Sequence, residues 1–210
     1  MLGFVTGLAA EARLLRGIDG LIGVAGGTTS GVADVAESLI ARGATVLISF
    51  GLAGGLDPVC KPGDLIIPYE IVDGSEIFPC DPRLLRMFGG ATVARLTGAD
   101  QAVTTRTAKA ALFAESRAAA VDLESFAMAQ VAHRHRIGFL AVRAIVDPAE
   151  RDLPHASLVA LHSDGRISFS RLLASLLRDP TQIDGLIALG RGAAAARRTL
   201  KREVNRRFRV

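Results

Sequence analysis

Charged side chains interrupt or end two apolar stretches between residues 120 and 148. The first stretch, V-D-L-E-S-F-A-M-A-Q-V-A, carries Glu124 near its start, and the second, I-G-F-L-A-V-R-A-I-V-D, contains Arg143 and ends at Asp147. A buried charge is costly unless another group pairs with it, and open α/β sheets bind ligands at the carboxyl ends of their strands. The pattern therefore indicates either a ligand site that includes these three groups or an internal ion pair of Arg143 with Asp147 or Asp122.

Buried strands and intervening helices must position these groups. The run that ends at Asp147 is rich in Val, Ile and Phe, which predicts a buried strand after a helix. A short helix that carries Glu11 is predicted to end near Leu15, and longer helices are predicted over residues 32–42 and 104–115. Further strands are predicted at residues 2–6, 21–25, 45–50, 65–72, 91–97 and 118–121. This alternation predicts an α/β fold.

Two glycine-rich segments follow predicted strands. The segment 26–31, G-G-T-T-S-G, precedes a helix, so the backbone around Gly27 and Thr28 could hold an anion or a water molecule. An ordinary serine or threonine N-cap explains this pattern equally well. The segment 51–55 is predicted as a turn where the backbone approaches a ligand closely, with Gly51 at the same anion or water site, or as an ordinary tight turn.

The composition predicts one α/β domain with a full hydrophobic core, or at most two small domains, in a cytoplasmic protein. The chain has 210 residues, half of them hydrophobic, and 22 are glycine. It contains no Trp, which argues against a stacking surface for single-stranded nucleic acid. Cys60 and Cys80 match neither a metal-binding motif nor a disulfide framework, so we expect no metal. No apolar run approaches the roughly 20 residues of a membrane span.

The C-terminal segment, residues 179–210, is predicted to be a basic amphipathic helix that follows a catalytic domain of residues 1–178. Between residues 191 and 210 there are eight basic residues and one acidic residue. Apolar residues recur there at helical spacing, namely Leu189, Ala193, Ala196, Leu200, Val204 and Phe208. Either this stripe docks on the sheet and the charges are solvated, or the helix contacts an anionic membrane surface and brings the site to a lipid-borne substrate. Nucleic acid is less favoured, because Phe208 alone adds an aromatic side chain to these charges.

Three motifs, in the same order along the chain, resemble those of a known enzyme superfamily. They are G-L-A-G-G-L-D-P-x-x-K-P-G-D-L-I-I-P, V-D-L-E-S-F-A-M-A-Q-V-A and V-R-A-I-V-D. Over roughly residues 1–150 they are similar to the purine nucleoside phosphorylase and methylthioadenosine/S-adenosylhomocysteine nucleosidase superfamily. The short length resembles the hopanoid-associated phosphorylase branch, which is thought to remove adenine from adenosylhopane. The resemblance implies a three-layer α/β/α fold with a mixed central sheet, a nucleoside substrate and a homodimer.

The resemblance also implies roles for the charged residues. Asp147 corresponds to the aspartate of the family's A-I-S-D motif, which protonates or hydrogen-bonds N7 of the leaving purine. Glu124 corresponds to the glutamate of V-D-M-E, which binds the ribose hydroxyls, and Leu123 replaces the methionine beside it. Arg143 corresponds to the arginine near the nucleophile and the ribose. Val103 falls where a backbone segment recognises adenine.

The attacking nucleophile has two alternatives. Glu11 is the best counterpart of the family glutamate that orients an attacking water molecule. Alternatively, phosphate is a co-substrate that Arg143 and the backbone amides of segment 26–31 hold. No other cofactor is implied.

Several positions depart from the family pattern. Val146 and Leu52 each replace a serine, and Ala102 stands about where an aromatic residue would stack on the base. A more apolar wall suits a hydrophobic 5′-substituent better than a free hydroxyl. The lost hydroxyls leave open a nucleoside-binding module without turnover as an alternative to an enzyme, and the basic C-terminal segment leaves open a membrane-surface protein.

Overall fold

A single mixed β-sheet contains the nine strands in the part of the chain that the computed structural model describes, residues 1–26, 29–154 and 182–208. The strands are β1 (Leu2–Thr6), β2 (Leu21–Val24), β3 (Val46–Gly55), β4 (Leu65–Ile66), β5 (Pro68–Asp73), β6 (Glu76–Pro79), β7 (Val93–Gly98), β8 (Ala120–Asp122) and β9 (Gly138–Asp147). The helices are α1 (Ala9–Ala12), extended by a 3-10 turn (Arg13–Leu15), α2 (Thr29–Ala41), α3 (Pro82–Phe88), α4 (Arg106–Ser116), α5 (Ser125–His135) and α6 (Ile183–Phe208).

The sheet is built around β3. Its order is β2-β1-β3-β8-β7-β5-β6, and β9 pairs with β3 in parallel and with β4 in antiparallel orientation. The pairs β1–β2, β1–β3, β5–β7 and β7–β8 are parallel, whereas β3–β8 and β5–β6 are antiparallel. The strands most central to this arrangement, β3 and β9, carry three of the predicted site residues, namely Gly51, Arg143 and Asp147.

Helices cover both faces of the sheet. Phe4 of β1 points to α6, where its ring meets the ring of Phe208 edge-on. The next residue of β1, Val5, points to the other face, and its neighbour in β2, Gly23, lies against Val35 of α2. Successive strand residues face opposite sides, so α2 and α6 lie on opposite faces. The predicted three-layer α/β/α fold with a mixed sheet is confirmed.

Two details of the strand prediction are wrong, and two elements were missed. The segment 51–55 is not a turn, because β3 continues through it and pairs with β9 as far as Gly54. The predicted strand 65–72 is two strands, since β4 pairs with β9 whereas β5 pairs with β7. Between them the backbone N–H of Ile67 donates to the Thr92 side chain, and Pro68 has no N–H to continue a ladder. Strand β6 and helix α3 were not predicted, although Asp81 caps α3 just before a proline at its first position.

The C-terminal helix α6 packs on the sheet through the predicted apolar stripe. Ala196, Leu200 and Val204 of this stripe are buried. At Gly192 the helix approaches β9 so closely that a Cβ would lie 2.0 Å from the carbonyl oxygen of Val146. The boundary predicted at residues 178 and 179 lies outside the described residues. Among the described helices, none combines the length and the apolar character needed to cross a membrane.

Candidate active site

Arg143 of β9 is a buried cation, 1% exposed, at the centre of the site. Its Nε lies 2.6 Å from Oδ2 of Asp122, and its Nη2 lies 3.0 Å from Oε2 of Glu124. Nη2 also donates to the hydroxyl oxygens of Ser49 and Ser125. Of the two ion pairs predicted for Arg143, the one with Asp122 is therefore present. The one with Asp147 is not, because Asp147 binds a different cation.

Asp122 links Arg143 to the start of α5. It ends β8, and its Oδ1 accepts hydrogen bonds from the backbone N–H groups of Glu124 at 3.2 Å and Ser125 at 2.9 Å. The first N–H groups of a helix have no partner within the helix, so Asp122 supplies one. The carboxylate of Glu124 is then left to face Arg143 rather than the helix backbone.

Glu124 has a strongly raised pKa. The pKa of this carboxyl is raised to about 7, chiefly by burial; Arg143 opposes the shift, and the neighbouring carboxylates Asp122 and Glu11 add to it. Because the carboxylates outnumber the one cation beside them, Arg143 does not fully offset the loss of water. Glu124 therefore titrates near neutral pH.

Glu11 reaches the same cluster from α1. Its Oε2 accepts a hydrogen bond from the backbone N–H of Leu8 at 2.9 Å, and its Oε1 accepts one from the backbone N–H of Leu52 at 3.0 Å. Burial raises the pKa of Glu11, while Arg143 and these backbone bonds lower it. The bond to Leu52 holds the Glu11 carboxylate against β3, the strand that pairs with β9 and therefore lies next to Arg143.

Gly51 of β3 has no side chain, so the side chains of Arg143 and Glu11 can approach the strand backbone there. It pairs with Arg143 in the sheet. A Cβ at this position would lie 2.6 Å from Nη1 of Arg143 and 2.7 Å from Oε1 of Glu11. Those separations are shorter than real Cβ contacts, so any larger residue would displace a charged side chain. Gly51 is thus needed because of close approach within a strand and not because of a turn.

Asp147 forms a second buried ion pair, with Lys109 of α4. The Lys109 Nζ donates to Oδ2 of Asp147, and the exposed fractions of the two side chains are 0% and 5%. The pairing of β3 with β9 shifts by one residue at Ala53, which places Asp147 opposite Gly54. Burial raises the pKa of Asp147, and Lys109 lowers it.

Lys109 was missed by the sequence analysis, although a signal for it exists. Most residues of α4 are exposed, and the partly buried ones, Leu112, Phe113 and Ser116, lie three, four and seven residues after Lys109. Those spacings place Lys109 on the inward face of the helix. A lysine on the apolar face of a predicted helix needs a buried partner, and Asp147 was a candidate.

A cavity of about 240 Å³ opens onto these groups. Val103 and Leu123, predicted at the base and the ribose respectively, line it, as do Ala102 and Val146. Glu11, Glu124 and Asp147 border the same cavity, whereas Arg143 lies behind them. Of the predicted anion or water site, Gly51 lies in β3 against Arg143 and Glu11, and Gly27 and Thr28 lie outside the described residues.

Among the described residues around the cavity, carboxyl groups outnumber cations. Among the described residues the buried ionisable side chains here comprise four carboxyl groups and two cations, namely Glu11, Asp122, Glu124 and Asp147 with Lys109 and Arg143. Within residues 1–26, 29–154 and 182–208, no cluster of three or more His, Cys, Asp or Glu side chains is placed to hold a metal ion. The arrangement can favour a cation in the cavity and can supply or accept protons.

Solved structures share this fold. The chain matches the futalosine hydrolase of Helicobacter pylori with a TM-score of 0.69 and 15% identity, over 98% of this chain and 97% of that one. The S-adenosylhomocysteine nucleosidase from Streptococcus pyogenes in complex with 5-methylthiotubericidin matches with a TM-score of 0.71 and 17% identity, over 97% and 93%. The 5′-methylthioadenosine/S-adenosylhomocysteine nucleosidase from Neisseria meningitidis in complex with methylthio-immucillin-A gives 0.69 and 17%, over 98% of both chains.

Sequence comparison identifies the family. No curated protein matches the chain. The family model described as the phosphorylase superfamily matches residues 26–92 and 91–178. These segments include β3, Lys109, the whole of α5 and β9, and therefore most of the residues that surround the cavity. Because they make up more than half of the chain, the protein belongs to the phosphorylase superfamily.

Proposed function

We propose that the protein is an enzyme that cleaves the N-glycosidic bond of an adenine nucleoside by hydrolysis. One observation supports this most strongly: carboxyl groups from α1, the start of α5 and the end of β9 border one cavity, and they outnumber their cationic partners. A non-catalytic nucleoside-binding protein would have no use for a buried excess of carboxyl groups whose pKa values are raised.

The departure of the base requires a proton or a hydrogen bond. As the bond between ribose and adenine breaks, negative charge develops on the purine. A carboxylic acid can neutralise it if burial keeps the acid protonated at working pH. Asp147 is buried with a raised pKa at the end of β9, and it borders the same cavity as Val103, the predicted base-binding residue. We assign Asp147 as the acid.

The sugar becomes cationic as the bond breaks. An oxocarbenium-like ribose is stabilised by fixed negative charge placed where its positive charge develops. Glu124 borders the cavity, and Arg143 fixes its orientation through the 3.0 Å contact to Oε2. We assign Glu124 to the ribose, with Leu123 packing beside it.

Water is favoured over phosphate as the nucleophile. Phosphate would bring additional negative charge to a cavity where, among the described residues, carboxyl groups already outnumber cations. Arg143, the predicted phosphate ligand, commits Nε and Nη2 to Asp122, Glu124 and the serine hydroxyls. Glu11, in contrast, borders the cavity with a raised pKa and can accept a proton from water.

The substrate is proposed to carry an apolar 5′-substituent. The cavity wall is largely aliphatic, with Leu8, Leu52, Leu123, Val146 and Leu153 among its residues. The structures that share the fold are named for 5′-methylthioadenosine, S-adenosylhomocysteine and futalosine. The resemblance to the hopanoid-associated branch makes adenosylhopane the most specific candidate.

The test is release of free adenine, measured by chromatography, from adenosylhopane, 5′-methylthioadenosine and adenosine, with and without phosphate. We expect release without phosphate and a preference for the two substrates that have an apolar 5′-group. Asp147→Asn should lower kcat by about a hundredfold or more, as for loss of a general acid, while adenine still binds. Release that strictly requires phosphate would overturn the hydrolytic assignment, and binding without turnover would indicate a nucleoside-binding module.

A lipid-borne substrate also favours contact with an anionic membrane. At the N-terminal end of α6, Ile183 and Ile187 are 46% and 48% exposed. The same end of α6 lies against the loop that follows Asp147, through Gly185 and Leu189. Exposed arginines continue along the helix, at positions 191, 197, 198, 202 and 206. Exposed apolar residues followed by arginines suit a headgroup region, where each basic residue contributes about 1 kcal/mol.

Co-sedimentation with anionic vesicles tests this contact. Binding should fall steeply with salt and be lost when Arg197, Arg198, Arg202 and Arg206 are changed to Gln. A matched control replaces Arg83 and Arg134, which are exposed elsewhere, and should bind as wild type does. Equal failure of all three proteins to bind would leave α6 as a packing element only.

A further inference from the structure

We propose that Lys109 is a positioning residue for the departure of the base: its ammonium group holds Oδ2 of Asp147 and sets the pH range in which Asp147 can donate a proton. This inference rests on the proposed function, because it requires Asp147 to be the acid. Neither the sequence motifs nor the superfamily resemblance pointed to Lys109.

The first support is the burial of an ammonium group at this place. Lys109 is fully buried, although residues on either side of it in α4 are exposed. Burying a charged group is unfavourable unless its donors are all satisfied. The three N–H donors of Lys109 meet three acceptors: Asp147 Oδ2, the carbonyl of Pro148 at 2.8 Å and the carbonyl of Arg151 at 2.9 Å. This set fixes the position of Nζ.

The two carbonyl bonds make Lys109 a persistent neighbour of Asp147. They do not depend on whether Asp147 is protonated, so Nζ stays beside Oδ2 in both protonation states. The positive charge therefore favours the ionised form of Asp147 throughout the reaction. Oδ1 remains as the oxygen that can carry the proton for the base.

A purely structural role would be to fasten the loop that follows β9, but this loop has other attachments to α4 and to the residues just before it. The backbone N–H of Leu153 donates to the carbonyl of Thr104 at 2.7 Å, and that of Arg106 donates to Oδ1 of Asp152 at 2.6 Å. The contact made by Lys109 differs from these two, because it reaches the carboxyl group of Asp147. Fastening the loop does not require an ion pair between a lysine and the Asp147 carboxylate.

The electrostatic surroundings of Asp147 contain several other charged groups. Those that border the cavity or the adjoining loop, among the described residues, are Glu11, Asp122, Glu124, Arg151 and Asp152. Lys109 is the charged group bonded to Asp147, whereas the carboxylates of the Arg143 cluster are held by Arg143. Removing the charge of Lys109 should therefore act on Asp147 first.

The sign of the effect follows from the charge. Asp147 acts in its protonated form, so turnover falls as pH rises through its pKa. Lys109 lowers that pKa, and a neutral residue in its place lets the pKa rise. In Lys109→Gln, which keeps a hydrogen-bond donor of similar reach, the alkaline limb of the kcat profile should move up by about one pH unit or more. Lys109→Arg keeps the charge, so its alkaline limb should stay near that of wild type even if kcat falls.

Asp152→Asn is the matched control for loop attachment. It weakens the second contact between α4 and the loop without changing the ammonium group beside Asp147. We expect a modest change in KM and an unmoved alkaline limb. If the alkaline limb moves equally in Asp152→Asn and Lys109→Gln, Lys109 only attaches the loop to α4 and does not tune Asp147.

A double-mutant cycle keeps the test decisive if a single variant is poorly stable. Because Lys109 acts only through Asp147, loss of its hold on Oδ2 in Lys109→Gln should lower the low-pH plateau of kcat in the wild-type background, even though the alkaline limb moves up, and should change kcat little when Asp147 is already Asn. The pair of substitutions also removes both charges together, which should restore part of the stability lost in Lys109→Gln. Additive losses in kcat, or an unmoved alkaline limb in an enzyme that still releases adenine, would overturn the role of Lys109 and leave the proposed function standing.

Discussion

Two clusters of arginine and carboxylate side chains, one buried and one exposed, behave in opposite ways. In the active site Arg143 contacts Asp122 and Glu124, and all three are nearly inaccessible. On the surface between α2 and α5, Arg134 contacts Glu37 at 3.0 Å, and both side chains are substantially exposed. The pKa of Glu37 is lowered, mainly by its hydrogen bond to Arg134, whereas burial raises that of Glu124 to about 7.

The comparison shows that pairing with arginine does not by itself decide the protonation of a carboxyl group. On the surface, water solvates the charge and the arginine adds a small further stabilisation. In the interior the carboxyl loses water, and one guanidinium shared among several carboxyl groups cannot replace it. The sharing therefore produces a group that can gain or lose a proton near neutral pH.

The largest difference between the clusters should appear when each arginine is removed. Arg143→Met leaves Asp122 and Glu124 buried without their cation, which should cost about 3–5 kcal/mol of unfolding free energy at pH 7. Arg134→Met, the matched control, should cost less than about 1 kcal/mol. Urea unfolding of the two variants measures both values. Similar losses would mean that Arg143 is no more important to the fold than a surface residue.

The sequence predicted the buried cluster because its charges lie within apolar runs. Glu124, Arg143 and Asp147 stand out against Val, Ile and Phe, and the alternation of strands and helices implied that their elements would meet. Which partner each charge takes depends on register and on side-chain direction, which spacing does not determine. Arg143 was thus assigned Asp122 and Asp147 as alternatives, and the structure contains the pair with Asp122.

Other features escaped prediction for different physical reasons. Lys109 belongs to a helix distant in sequence from Asp147, and lysine is common on solvated helix faces. The glycines of residues 51–55 were predicted as a turn because glycine usually marks one, yet Gly51 is required by close packing inside β3. Strand β4 is only two residues long, and its antiparallel pairing with β9 has no local signal in the sequence.

The second difference between the clusters concerns the pH dependence of stability. Because the pKa of Glu124 is raised from 4.5 to about 7 in the folded protein, the folded state holds a proton that the unfolded state has lost between these values. The contribution of Glu124 to the unfolding free energy is therefore fully present below pH 4.5. It is lost as pH rises to about 7, which lowers the unfolding free energy by about 3 kcal/mol. Glu124→Gln stays neutral, so its unfolding free energy should fall less than that of wild type between pH 5 and pH 8. Parallel pH curves for the two proteins would contradict a shifted Glu124.

The smallest effect, with the opposite sign, is expected at the surface cluster. Glu37 has a lowered pKa, so its contribution is present above its unfolded value of 4.5 and is lost as pH falls through the lower folded value. Because the pair with Arg134 is exposed and screened, Glu37→Gln should destabilise the protein by less than about 1 kcal/mol at pH 7, and 1 M salt should remove most of that loss. The midpoints of urea unfolding at pH 7, in low and in high salt, measure this destabilisation, and the same measurement on Glu124→Gln gives the comparison with the buried cluster. The unfolding free energy of Glu124→Gln should change much less with salt, because ions do not reach the buried cluster. An equal salt response in both variants would show that the two clusters differ less in solvation than their burial implies.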